Sequence, residues 1–108
     1  MPLPVPAAEP VQITVVESEA CHFCADAHEV LEGFATSYPL TVESIDVRSD
    51  AGRALMARHR APMSPLVLVD GAFFSSGRLP RRKLEKVLKD RSDNAGTAVG
   101  LAMRAHHG

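Results

Sequence analysis

Cys21 and Cys24 are the only cysteines in the chain, and they stand three residues apart where two sequence patterns meet. Upstream, Val11-Gln-Ile-Thr-Val-Val16 is β-branched and partly alternating, which predicts a strand, placed centrally in a sheet. Downstream, Phe23, Ala27, Val30, Leu31 and Phe34 recur with the helical period and predict a helix over residues 22–38. Gly33 weakens that helix mildly and Pro39 ends it. The connection is Glu17-Ser-Glu-Ala20, with Ser18 as the expected helix cap. Residues three apart share a helix face, so both sulfurs meet at the helix start. A strand that runs into a helix opening on Cys-x-x-Cys reads, in an intracellular setting, as a redox motif.

The rest of the chain continues the alternation of strand and helix. Leu40, Val42, Ile45 and Val47 mark a second strand over residues 40–47. Ser49 or Asp50 caps a second helix reaching residue 59, with Ala51, Ala54 and Leu55 on its inner side. A proline-punctuated loop, Arg60-Ala-Pro-Met-Ser-Pro65, leads to the short apolar strand Leu66-Val-Leu-Val69. Asp70-Gly71 is a strong two-residue hairpin signal and returns the chain antiparallel along Ala72-Phe-Phe-Ser75. Ser76-Gly77 turns it again. Pro80 fits the first turn of a third helix whose apolar stripe is Leu84, Val87 and Leu88. The order β-α-β-α-β-β-α predicts an α/β fold with a four-stranded mixed sheet and helices on both faces.

With 108 residues, the chain suffices for one compact domain. Residues 1–10, broken by four prolines and lacking a basic stretch, read as a flexible lead-in and not as a signal peptide. The domain spans residues 11–90. Residues 91–108 read as a tail: Ser92-Asp-Asn-Ala-Gly96 is loop-like, and Val99, Leu101 and Met103 can extend or restart a helix. The His106-His107 pair reads as a solvated end. A net charge of -1 and five aromatic residues without Trp supply neither a basic field nor a stacking surface, so nucleic acid is not an expected partner. No apolar run approaches the length of a membrane span, so no membrane partner is expected, and the cytoplasm is the default location.

Disulfide exchange requires a thiolate, and an ordinary cysteine is mostly protonated at neutral pH. The first turn of a helix carries unpaired N–H groups and the positive end of the dipole, which favour a negative sulfur. Cys21 stands there as nucleophile, and Cys24, one turn in, is the resolving thiol. A cationic His22 between them would further stabilise the thiolate. This chemistry needs no cofactor and no metal. Two other readings remain open. Cys21, Cys24 and His28, completed by His22 or His59, offer soft ligands for zinc or an iron–sulfur cluster. The domain can also serve as an interaction module without turnover.

The element order, together with Cys21-His-Phe-Cys24, Ser64-Pro65 before Leu66, Asp70-Gly71 and Ser76-Gly77, resembles the thioredoxin-like superfamily, and its short build resembles the glutaredoxin branch most. The resemblance covers residues 11–89. It implies a thiol–disulfide oxidoreductase acting on protein or low-molecular-weight disulfides, recharged by an electron donor that the residues do not identify. It further implies that Pro65 is cis and lies against the cysteines, that Ser64 offers its backbone to an extended substrate, and that N–H groups near Gly77 can receive a substrate carboxylate. Phe23 itself reads as a packing or substrate-facing apolar residue. Glutaredoxins usually carry Tyr within the cysteine pair, a basic residue just before it and Gly-Gly-acidic before the last helix. Here those positions hold Phe23, Glu19 and Ser76-Gly77-Arg78. The Trp-Cys-Gly-Pro-Cys of thioredoxins and their buried strand Asp are likewise replaced, with Glu17 as the nearest carboxylate.

Overall fold

The structure, a computed structural model, describes residues 10–101, with side chains as far as Arg91. The proline-rich residues 1–9 and the His106-His107 pair lie outside the described residues. The elements run β1 (Val11–Glu17), α1 (His22–Ala35), β2 (Leu40–Asp46), α2 (Asp50–Arg58), β3 (Leu66–Val69), β4 (Ala72–Ser76) and α3 (Arg81–Leu101). The strands form one mixed sheet in the order β2-β1-β3-β4. β1 is parallel to β2, β3 is antiparallel to β1, and β4 is antiparallel to β3.

Alternation along the two central strands sends side chains to opposite faces. Val11, Ile13, Val15 and Val67 pack with Ala27, Val30 and Leu31 of α1 and Leu84 and Leu88 of α3. Val16, Leu66 and Leu68 face the other way, against Leu55 and Met56 of α2. Helices therefore cover both faces, as the order of elements requires. β2 is an edge strand whose only half-buried side chains are Leu40 and Ile45.

Local chemistry explains where the elements differ from the sequence-based expectation. α1 ends at Ala35 and not at residue 38, because Thr36 closes it with its N–H and hydroxyl both on the Gly33 carbonyl (3.3 and 2.8 Å). Tyr38 then turns back to pack beside Phe34. The inner side of α2 is Gly52, Leu55 and Met56, while Ala51 and Ala54 are exposed. The expected face was rotated by about one residue, because the helix approaches the sheet so closely that its contact point must be the residue without a side chain. Ser49 caps α2 by accepting the Gly52 N–H at 3.0 Å. Pro80 precedes α3, and its carbonyl accepts the Leu84 N–H at 3.0 Å. α3 also continues through Ser92-Asp-Asn-Ala-Gly96, a stretch expected as loop. Once a helix is nucleated, each weak former costs less than about 1 kcal/mol, so one polar run does not stop it.

The β3–β4 hairpin turns on Asp70 (φ 51°) and Gly71 (φ 85°), both left-handed, as a two-residue turn of this twist needs. One residue is extra in β4: Val67 faces Ser75 while Leu68 faces Phe73. The bulge leaves Phe74 unpaired, and it is buried against the core shared by α1 and α3. Asp70 also locks the hairpin to its surroundings. Its N–H donates to the Gln12 carbonyl (2.7 Å), its Oδ1 accepts the Gln12 N–H (3.0 Å), and its Oδ2 pairs with Arg91 of α3. Asp70→Ala is expected to lose about 1–2 kcal/mol in urea unfolding, since it strands the Gln12 donor and strains a left-handed residue. Asp70→Asn, which keeps the acceptor and tolerates that conformation, should lose under about 1 kcal/mol. Equal losses would show that the Arg91 pair, not the Gln12 bond, carries the stabilisation.

Candidate functional site

β1 stops at Glu17, and the chain reaches α1 through a tight turn. Ala20 is left-handed (φ 52°), a conformation that costs a residue bearing a Cβ about 1 kcal/mol. The turn delivers Cys21 in an extended conformation (φ −101°, ψ 111°) as the N-cap of α1. Ser18, the expected cap, is three residues too early. Cys21 does what a capping hydroxyl does elsewhere: its Sγ accepts the Cys24 N–H at 3.1 Å. Its carbonyl accepts from both Cys24 and Ala25 at 3.1 Å. The sulfur thus shares the Cys24 N–H with the Cys21 carbonyl, at the positive end of the helix dipole.

Cys24 lies one turn further in and is 3% exposed, whereas Cys21 is only half-buried. The two sulfurs are bonded to each other, with a Cα–Cα distance of 5.1 Å. The difference in exposure is chemical information. An incoming disulfide can reach Cys21, while Cys24 can reach little besides Cys21.

A second loop closes over this turn. The Ser64–Pro65 bond is cis, and Pro65 is fully buried. The Ser64 hydroxyl lies 3.9 Å from Cys21 Sγ and 3.0 Å from the Ser18 hydroxyl. Ser18 therefore serves the site by tying the cysteine turn to the proline loop. No local pattern betrays that bond, since its partners are 46 residues apart. Gly77 (φ 98°) holds the same loop from behind, donating its N–H to the Pro65 carbonyl at 2.9 Å. Its own N–H is thus taken up within the protein. A Cβ on Gly77 would lie 3.1 Å from the Met63 sulfur, so the position accepts glycine for both conformation and space. Ser76 accepts the Met63 N–H (3.3 Å) and donates to the Met63 carbonyl (2.6 Å). Met63 is 46% exposed, and with the half-buried Phe23 it gives the loop and the cysteine turn an apolar surface. His22 is exposed, its ring 6.2 Å from that of Phe23.

Two further residues join the cysteines in an open depression of ≈ 520 Å³, and they come from different elements. His28 Nε2 and Glu17 Oε1 are 2.7 Å apart, both partly buried. His28 is one turn beyond Cys24 on α1, and helical side chains lean toward the N-terminus, over the preceding turn. The depression accordingly contains the disulfide, the His22 and His28 imidazoles and the Glu17 carboxylate. On its outer side Arg48 pairs with Asp46 and lies 3.4 Å from Glu19. The hydrogen bond from Arg48 holds the Asp46 carboxyl below the ordinary carboxylate range.

Of the ligand set considered for a metal, Cys21, Cys24, His22 and His28 line this depression and His59 does not. The sulfurs bond each other, His28 pairs with Glu17, and His59 packs against Phe73 at the end of α2, on the opposite face of the sheet. Among the described residues, no group of three or more His, Cys, Asp or Glu is placed to hold a metal ion. No helix among them is long and apolar enough to cross a membrane.

Residues 12–89 match the family model of the glutaredoxin-like domain (DUF836). No curated protein sequence matches the chain. Among solved structures, an uncharacterised thioredoxin-like protein from Clostridium perfringens superposes with a TM-score of 0.63 at 13% identity, over 92% of this chain and 79% of that one. A thioredoxin from Thermus thermophilus gives 0.51 at 26% identity, over 92% and 85%. A point-mutant thioredoxin from Halobacterium salinarum gives 0.54 at 21% identity, over 82% and 80%. The fold is therefore thioredoxin-like.

Proposed function

Because the chain belongs to the glutaredoxin-like domain family, we propose that it is a dithiol–disulfide oxidoreductase that reduces or exchanges protein or low-molecular-weight disulfides. One observation carries the reading: a half-buried Cys21 sulfur caps the helix on the Cys24 N–H, with the buried Cys24 bonded to it from behind.

In the reduced protein, Cys21 attacks as a thiolate. Its sulfur bonds to one sulfur of the substrate disulfide, and the other leaves as a thiolate that takes a proton from solvent. Cys24 then gives up its proton and attacks Cys21 Sγ. The second substrate thiol departs, and the Cys21–Cys24 bond forms as the structure holds it. Two electrons pass to the substrate in each turn, and a thiol or reductase not yet identified returns them. Glu17 and His28, in the same depression, give the Cys24 proton a nearby acceptor. His22 favours the Cys21 thiolate when protonated. Phe23, Ser64 and Pro65 frame the place where the substrate chain lies, and Gly77 fixes that frame through its bond to Pro65. The reaction needs no metal or cofactor. The cytoplasm, where thiols are kept reduced, suits it, and neither nucleic acid nor a membrane is needed as partner.

The test is catalytic. Protein reduced with dithiothreitol and desalted should carry both thiols and weigh about 2 Da more than the oxidised form. It should then reduce 2-hydroxyethyl disulfide far faster than an equal concentration of free cysteine, returning to the lighter form. A rate no greater than that of free cysteine would overturn the reading.

A further inference from the structure

The charge of this chain is nearly balanced overall and strongly divided locally. Residues 78–91 carry seven of the twelve Lys and Arg side chains, with only Glu85 and Asp90 as acids, whereas α1 carries Asp26, Glu29 and Glu32 and no Lys or Arg. Where these two elements meet, a groove of ≈ 490 Å³ is lined by Asp26 and Val30 of α1 and by Arg78, Leu79, Pro80, Arg81 and Arg82. Arg78, Arg81 and Arg82 are all exposed, and among the described residues none makes an ion pair. Lys83, next in line, lies over the Phe74 ring and is turned elsewhere.

Nothing in the stability of α3 asks for these cations. They stand at its N-terminus, where the dipole disfavours positive charge. Their position relative to the cysteines supplies a reason. One wall of the groove is the helix that begins with Cys21 and Cys24, since Asp26 follows Cys24 by two residues. The other wall begins at Arg78, next to the glycine bonded to Pro65. The groove therefore starts two residues beyond Cys24 on one wall and one residue beyond Gly77 on the other, and it carries three guanidinium groups without an ion pair among the described residues.

We propose that this groove docks the substrate, and that the substrate is a protein segment with Asp and Glu flanking its disulfide. The proposal rests on the oxidoreductase reading and names the substrate class for the same site. Arginine suits carboxylate recognition because its planar fork receives both oxygens at once. Asp26, the only carboxylate on the groove, stands opposite and penalises a basic segment there.

Two measurements separate this inference from the redox reading. The first needs no exchange chemistry: fluorescence anisotropy of a labelled, cysteine-free Glu-rich peptide with the oxidised protein at low salt. The wild type should bind it at least about tenfold more tightly than a Lys-rich peptide, and the preference should fade at high salt. The R78E/R81E/R82E variant should reverse the preference. Acids at a helix start agree with the dipole, so this variant keeps its fold, and R78Q/R81Q/R82Q should abolish the preference without reversing it. The second compares rates on disulfide peptides with acidic, neutral and basic flanks, where the acidic peptide should lead about tenfold and lose that lead in the Glu variant. Equal binding of both peptides by the wild type overturns the proposal. So does an acidic preference that survives the substitutions, or a rate effect confined to glutathionylated peptides. Failure on 2-hydroxyethyl disulfide with intact acidic binding overturns the redox reading instead and leaves the docking surface standing.

Discussion

A Cys24→Ser variant is expected to stop halfway, holding its substrate as a mixed disulfide through Cys21, while Cys21→Ser forms no adduct at a comparable rate. The asymmetry follows from burial and from one hydrogen bond. Cys21 is half-buried and its sulfur accepts the Cys24 N–H at the head of α1; Cys24 is 3% exposed. An unperturbed thiol is only about 3% ionised at pH 7, so any preference for the thiolate multiplies the reactive fraction directly. With serine at position 24 that donor remains, because it is a backbone N–H, but no thiol stands behind Cys21 to resolve the adduct. Turnover should fall by on the order of a thousandfold or more in both variants, with the adduct in one alone. Non-reducing electrophoresis and mass spectrometry of extracts exposed to each variant read the outcome. Adducts that form through Cys24 in Cys21→Ser would reverse the two roles.

How much of this could be read in the sequence depended on the range of the interaction concerned. β1 and the start of α1 were legible because their apolar patterns are long and uninterrupted. The hairpin was legible because Asp70-Gly71 is one of few pairs able to turn left-handed twice. The face of α2 was not: in a nine-residue helix containing three alanines, apolarity hardly distinguishes the sides, and the buried position went to a glycine. The cap of α1 was misplaced because capping preferences favour hydroxyl and carboxylate residues, and Ser18 was at hand. A sulfur in that role is selected by chemistry and not by helix stability. Glu17 and His28 each stand out in the sequence, one as the nearest carboxylate and one as a candidate metal ligand. Only the distance of 2.7 Å makes them a pair. Arg81, Arg82 and Lys83 are adjacent in the sequence, but the groove that Arg81 and Arg82 share with Arg78 and Asp26 exists only in three dimensions.

Two helical glycines show how opposite results follow from the same substitution. Gly33, exposed on α1, has nothing within 4 Å of the place a Cβ would occupy. Gly33→Ala should therefore stabilise the protein by about 0.5–1 kcal/mol, by restricting the unfolded chain and improving helix propensity. Gly52, buried on α2, faces the end of β2. A Cβ there would lie 2.9 Å from the Asp46 carbonyl carbon and from Val47 Cα, and nearer still to the Asp46 carbonyl oxygen. These are backbone atoms, which cannot swing aside as a side chain does. The same carbonyl accepts the Ser49 N–H (3.0 Å) and hydroxyl (2.6 Å), which set the N-cap of α2, and Val47 donates to the Glu17 carbonyl at 2.8 Å. To admit a methyl group the helix must move off the sheet, and the cap and that bond to the end of β1 move with it. Overpacking of this kind costs about 1–3 kcal/mol, and loss of a cap about 1 kcal/mol more. Gly52→Ala should thus lose about 3 kcal/mol and lower Tm by roughly 10–20 °C, read by thermal and urea unfolding beside Gly33→Ala. Because Glu17 begins the turn that carries Cys21, the loss should extend to exchange activity well below the melting point. A Gly52→Ala protein as stable as the wild type would mean that α2 does not meet β2 backbone to backbone.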